Sequence, residues 1–470
     1  MRSLPAALLA LSLTACGGSA QTPAAPASGL PLPPVTTVST GPSTAGGALR
    51  LGPDWTTYHG DTSRSGYVAA GPDPKQPGVV WQAKLDGKVY ASPLVVGGVV
   101  IAATEGGSLY ALDGATGRVR WRRHLADSVA ADRLPCGNID PLGITGTPVY
   151  DPATKQVLAV SATAGVRHVL FAVDAATGAV RSQRPVDAPG SEPATQLQRG
   201  ALLLSGGSVV IAYGGNFGDC GQYLGRVVSI PVAGGPLRTF AVPTRREAGI
   251  WASSGPAAGP GGDLLVTTGN GAARSGDWDH SDSLLRLSPD LLLWDGFAPQ
   301  EWAKENSVDA DLGSTGPLVL PGGKQAVVAG KGGSAYLVDL GRLGGVGGQL
   351  DTERDCSSYG GGAAVPVQGG GAAVYLPCSG GVLQLRVEGS RLTRGWQAQQ
   401  QITASPVVVG TTVWSVQQDG ALYGLDAATG KQRALVQVGD VSRFATPAVS
   451  GNALFVPTLS GLTAVRLSGS

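Results

Sequence analysis

From about residue 78 onward, short apolar runs of period two alternate with Gly-bearing turns, the pattern of strands half-buried on each face rather than of helices. A small residue followed by proline introduces most of these runs. The first copy, Ala91-Ser92-Pro93, leads into LVVGGVVIAATEGGSLYALDGATGRVRW. Related starts fall at Pro148, Pro256, Pro317, Pro366, Pro406 and Pro447, spaced by about 40 to 61 residues apart from one interval of 108, which holds the further unit GALLLSGGSVVIAYGG. Strand endings recur too, as LYALDGATGRVRW at 109–121, LFAVDAATGAVRS at 170–182 and LYGLDAATGKQRA at 422–434. In these endings Asp caps a tight bend and Gly takes the positive φ.

Units of this length, each holding three or four strands, predict propeller blades rather than a solenoid. The expectation is an all-β, eight-bladed β-propeller of four-stranded antiparallel blades. The last unit, 443–467, ends one strand early, while GVVWQAKL at 78–85 is a lone strand ahead of the first full unit. Pairing the two closes the ring and removes the open sheet edge. Two stacked β-sandwiches fit less well, because the repeat runs unbroken through the middle of the chain.

Composition agrees with strands and tight turns. The 470 residues include 73 Gly and 33 Pro, too many for a helical protein, and 42% are hydrophobic, ample for a large core. With 14% charged residues and a net charge of +1 there is no field to attract nucleic acid, so that class of partner is excluded.

The N-terminus indicates the compartment. Arg2 precedes an apolar stretch at 4–13 that is too short to span a bilayer, which reads as an export signal over residues 1–15. LTACG at 13–17 resembles a bacterial lipobox, which makes Cys16 the lipidated residue and the membrane a partner through that lipid; an ordinary signal with an incidental cysteine is the alternative. Residues 16–50, rich in Pro, Ser, Thr, Ala and Gly, read as a flexible tether, and 51–470 as the propeller. Four cysteines remain for an oxidising compartment, with three possible connectivities. Cys356 and Cys378 flank one predicted hairpin and Cys136 and Cys220 both fall in loops, which favours those two pairs.

The Asp-Ala-x-Thr-Gly-like endings and the Ser-Pro starts resemble the repeats of quinoprotein alcohol dehydrogenases and of their non-catalytic relatives, among them the propeller lipoprotein of outer-membrane protein assembly. The likeness covers about residues 55–467, and DWTTYHGDTSRSGY at 54–67 is similar to the stretch preceding the propeller in such proteins. The resemblance implies pyrroloquinoline quinone and Ca²⁺ as cofactors. It places Trp251 (GIWASSGP) as the quinone floor, Asn270 (TTGNG) as a calcium ligand, Asp311 (DADLGSTGP) as catalytic base and calcium neighbour, and Lys331 (AGKGGSAYL) beside the quinone oxygens. An indole can stack on a planar quinone, amide and carboxylate oxygens suit a hard cation, and a carboxylate can take an alcohol proton. Each residue also has an ordinary use: indoles pack between blades, and Gly-Asn-Gly is a tight-turn sequence.

Departures from that family are visible. Its roof of two adjacent cysteines cannot form, because Pro135 precedes Cys136. Its acidic calcium ligand aligns with Asn216, with Asp219 as a substitute, and its clamping arginine finds only Arg133 nearby. No Cys-x-x-Cys-His haem site is present. The acidic loop RSGDWDHSDS at 274–283 lacks the glycine and terminal glutamate of an EF-hand and reads as a solvated loop. Two functions stay open: a divergent alcohol or aldehyde dehydrogenase binding a small molecule, and a non-catalytic scaffold binding an envelope protein.

Overall fold

A computed structural model describes residues 38–39 and 48–468; the expected export signal, Cys16 and most of the expected tether lie outside the described residues. Eight antiparallel sheets follow one another along the chain. Blade 1 covers residues 94–124, blade 2 149–185, blade 3 196–241, blade 4 257–298, blade 5 318–354, blade 6 363–397 and blade 7 407–437. Blade 8 combines residues 448–466 with the early strand Gly78–Lys84. That strand lies antiparallel to Gly461–Arg466, with Val79 opposite Val465 and Ala83 opposite Leu462, so the ring closes as expected. Among the described residues no helix is long and apolar enough to cross a membrane.

Period-two alternation puts an apolar side chain on both faces of each blade, and every seam is filled. In the strand Val99–Ala103, Val100 and Ala102 pack toward blade 8, whereas Ile101 and Ala103 pack toward blade 2. Equivalent clusters join blades 2 and 3, 3 and 4, 4 and 5, 5 and 6, and 6 and 7. Three seams add an indole. Trp81, Trp121 and Trp396 lie on the Asp-x-Ala-Thr-Gly turns of the following blade, donating Nε1–H to Gly114, Ala175 and Ala427 carbonyls at 3.0, 3.0 and 3.1 Å. Gly117 shows why glycine ends the turn: its φ is +72°, and a Cβ there would stand 2.6 Å from the Trp81 ring.

Two expectations change. Pro366 does not open its blade but ends the inner strand Ala363–Pro366. Gly360-Gly361-Gly362 hold the lead-in position, and a Cβ on Gly361 would lie 2.8 Å from the Tyr58 hydroxyl, leaving no room for the usual Ser-Pro. Within the expected tether, Val38–Ser39 forms a short strand on the edge of Gly78–Lys84.

Residues 50–68 form a strap that crosses one end of the ring axis. The strap meets every blade in turn. Asn452 N–H donates to the Arg50 carbonyl, Trp55 and Val95 exchange two backbone bonds, and Tyr150 N–H donates to Thr56. Ala258, Val319, Ala364 and Val408 N–H groups donate to the carbonyls of Thr62, Ser63, Ser65 and Gly66. Blade 3 is reached by Arg64, whose guanidinium donates to the Leu202 carbonyl at 3.1 Å and also to Pro256, Thr57 and Tyr58 oxygens. Innermost strands are sheet edges with unpaired backbone groups, and the strap satisfies them.

Candidate ligand site in the axial cavity

Residues just before the inner strands and just after the second strands converge at the axis end opposite the strap. There they line a cavity of about 820 Å³, within the ~300–1,000 Å³ typical of small-molecule sites. Trp251, Asn270, Asp311 and Lys331 all line it, as do Asn216 and Asp219. Arg133 does not; it is exposed on the short turn Ala131–Arg133.

The strand Leu264–Thr268 of blade 4 delivers Gly269-Asn270-Gly271 to the cavity. Gly269 is required by close approach, since a Cβ there would sit 2.1 Å from Asp311 Oδ1. That oxygen accepts the Asn270 backbone N–H at 2.7 Å. Lys331 Nζ pairs with Asp311 Oδ2 and, at 2.8 Å, with Asp309 Oδ1, which also accepts the Asn270 side-chain amide at 2.7 Å. Asn270 Oδ1 is thereby left buried with no hydrogen-bond partner. The Lys331 ammonium stands 5.5 Å from the Trp251 ring centroid, and the indole meets Phe444 edge to face at 6.3 Å.

Burial pushes the Asp311 carboxyl above its ordinary range, against the pull of Lys331 and the Asn270 N–H. Burial also works against the Lys331 charge, but Asp311 and Asp309 outweigh it and hold the ammonium above its usual range. Asn216 is buried and its amide donates to the Ala194 carbonyl at 2.8 Å, so that group serves the loop. Asp219 accepts the Tyr223 hydroxyl at 2.5 Å.

Glu247, four residues before Trp251, also lines the cavity, and its carboxyl is raised by burial with Asp219 and Asp311 adding to the effect. No motif marks it; a positive backbone φ of 69° turns it inward, which composition and period do not reveal. The acidic loop is not simply solvated. Asp282 is fully buried, accepts the Leu312 N–H at 3.0 Å, and has its carboxyl pushed well above the ordinary range by burial. Asp279 accepts from Thr244 and Ser281 and organises the loop internally.

Disulfides join Cys136 to Cys220 and Cys356 to Cys378. The first ties the loop between blades 1 and 2 to the blade 3 turn at the cavity wall, where Gly218 lies against Cys136. The donor set suits a hard divalent cation, because the unpartnered Asn270 oxygen stands beside the Asp309 and Asp311 carboxylates. Among the described residues no three His, Cys, Asp or Glu side chains gather as a ready-made cage.

The family model described as outer membrane protein assembly factor BamB matches residues 62–237, which covers blades 1 and 2 and blade 3 up to its last strand, and stops short of Trp251. Solved propellers superpose on nearly the whole body. Quinohemoprotein alcohol dehydrogenase ADHIIG from Pseudomonas putida HK5 is 15% identical with a TM-score of 0.67, over 89% of this chain and 80% of that one. A europium-containing methanol dehydrogenase is 14% identical, TM-score 0.68, over 88% of this chain and 97% of its own. The fold is a quinoprotein-type propeller. BamB from Moraxella catarrhalis shares that propeller at 16% identity and a TM-score of 0.57, over 83% of this chain and 99% of its own. No curated protein matches the chain. The quinoprotein-type propeller thus has both dehydrogenases and an assembly factor among its structural relatives, and its two disulfides suit an oxidising compartment.

Proposed function

We propose that this propeller is an exported, lipid-anchored protein that holds pyrroloquinoline quinone and a divalent cation in its axial cavity and oxidises an alcohol or aldehyde. The observation that carries the reading is the convergence of Trp251, Asn270, Asp311 and Lys331 on one cavity, with the Asn270 Oδ1 buried and unpartnered. The quinone would supply the two-electron acceptor that no side chain provides. Trp251 would offer its face to that flat ring, and Asn270 Oδ1 with the neighbouring carboxylates would hold the cation. Asp311, raised by burial, would take the proton of a substrate hydroxyl, and Lys331 would steady the negative charge that develops beside it.

The experiment is titration of the purified chain with the quinone and Ca²⁺ while tryptophan emission is followed. Saturable quenching that disappears in Trp251→Ala and weakens in Asn270→Ala supports the site; an unchanged emission in the parent rejects it. A second reading, a binding scaffold with no quinone, draws on the match of residues 62–237 to the assembly-factor model. In that reading the same titration is silent and the cavity mouth binds an envelope protein.

A further inference from the structure

Two arginines on the cavity wall have no hydrogen-bonding or ion-pair partner among the described residues. Arg199, just before the inner strand of blade 3, lies flat on the Phe444 ring with its Cζ 3.9 Å from the centroid. Arg443, just before blade 8, lies in the same manner on Tyr359 at 3.7 Å. Both line the cavity, and neither guanidinium makes a hydrogen bond or ion pair among the described residues. The Nε of Arg199 is sealed from solvent and still unpartnered. Arg64 shows how this protein treats a structural arginine: it donates four hydrogen bonds.

Stacking on an aromatic face fixes the plane of a guanidinium and leaves its N–H edge free, the arrangement that receives a carboxylate through two parallel bonds. Phe444 touches the Trp251 indole, so the arginines stand beside the proposed ligand face. Behind Arg199, Glu105 is fully buried; one oxygen accepts the Gly143 N–H at 2.7 Å and the other is unpartnered. Glu105 attracts Arg199 through space without contacting it, and burial alone pulls that guanidinium down to about 10. A buried cation left open on its cavity side, with its counter-charge held out of contact, is set for an incoming anion.

We propose that Arg199 and Arg443 form a carboxylate-binding subsite that reads an anionic substituent of a planar ligand. The subsite rests on the reading that the cavity takes such a ligand, and the carboxylate can belong to the quinone or to a carboxylated substrate. The test uses three probes on the full chain: pyrroloquinoline quinone, its trimethyl ester, and benzene-1,3,5-tricarboxylate, which is no quinone. Arg199→Gln and Arg443→Gln should each weaken binding of the two free acids by about tenfold or more, as expected for loss of a charge-assisted bond, and leave the ester unaffected. Burial raises the Glu105 carboxyl to about 7, so above that pH Glu105→Gln should tighten them, since a competing negative charge is removed; a purely structural role predicts weakening in all three variants. Tricarboxylate binding that depends on Arg199 without any quinone binding keeps the subsite, assigns it to the substrate and rejects the cofactor. Equal affinities of parent and Gln variants for both acids, or equal affinity of acid and ester, overturn the subsite. Should Arg199→Gln fail to fold, the opposite signs expected of Arg443→Gln and Glu105→Gln still decide it.

Discussion

Blades 8, 1 and 2 and blades 3, 4 and 5 solve the same problem of covering a neighbour's apolar face, with different materials. In the first group each seam carries an indole lying on a Gly turn, as Trp81 lies on Gly117 and Trp121 on the blade 2 turn. In the second group the turns have lost that motif and the seams are bridged by polar reach: Arg238 to Asp290 at 3.4 Å, Arg286 to the Leu340 carbonyl at 3.0 Å, Leu343 N–H to Asp295 at 2.7 Å. Trp251, one of the indoles of that region, faces the cavity instead of a turn. Where the ring only has to stand, the repeat is kept; where its side chains line the cavity, the repeat is given up and hydrogen bonds and ion pairs hold the seam.

That contrast can be broken most severely at Trp81, which is 1% exposed and sits in the closing blade. Trp81→Ala should cost about 3–5 kcal/mol of stability in denaturant unfolding. Trp251→Ala, cutting mainly a cation contact, should cost about 1 kcal/mol while abolishing the ligand response. Equal losses at the two indoles would erase the distinction. Next in size is Arg64→Ala, expected to cost about 3 kcal/mol because it leaves buried carbonyls without donors. The smallest effect concerns pH. Burial lowers the His59 ring to about 3 in the folded chain, so the unfolded chain takes up a proton first as pH falls below about 6.5. This histidine therefore contributes a loss of stability that grows between about pH 6.5 and 3, and His59→Gln should flatten the acid limb of a stability–pH curve relative to the parent.

The region with indoles in its seams was legible in the chain because its turns repeat and its strands alternate strictly, so the blade number and the pairing of Gly78–Lys84 followed from spacing and one unmatched strand. Trp251, Asn270, Asp311 and Lys331 were placed by resemblance, and the shared cavity follows from their positions at the ends of strands. Arg199 and Glu247 were not legible: each lies in an aperiodic loop where the backbone, not the pattern, decides which way a side chain turns. The strap was hidden for a related reason. Its partners are spread over eight different blades, a few hydrogen bonds at a time, and no periodicity survives such a path. Pro366 misled because a Pro beside an apolar run has the same local signature at either end of a strand.

The strap and the closing strand are both synthesised before any complete blade, yet the strap's contacts run from blade 1 to blade 8 and the closing strand waits for Gly461–Arg466. Early blades can form pairwise as they emerge, but the last seam and the hub can be made only once the final hairpin is present. Such long-range pairing is slow and leaves a strand edge exposed in the interim. A chain of this design therefore needs shelter during its own production, and it becomes resistant to unzipping only at the moment its two ends meet.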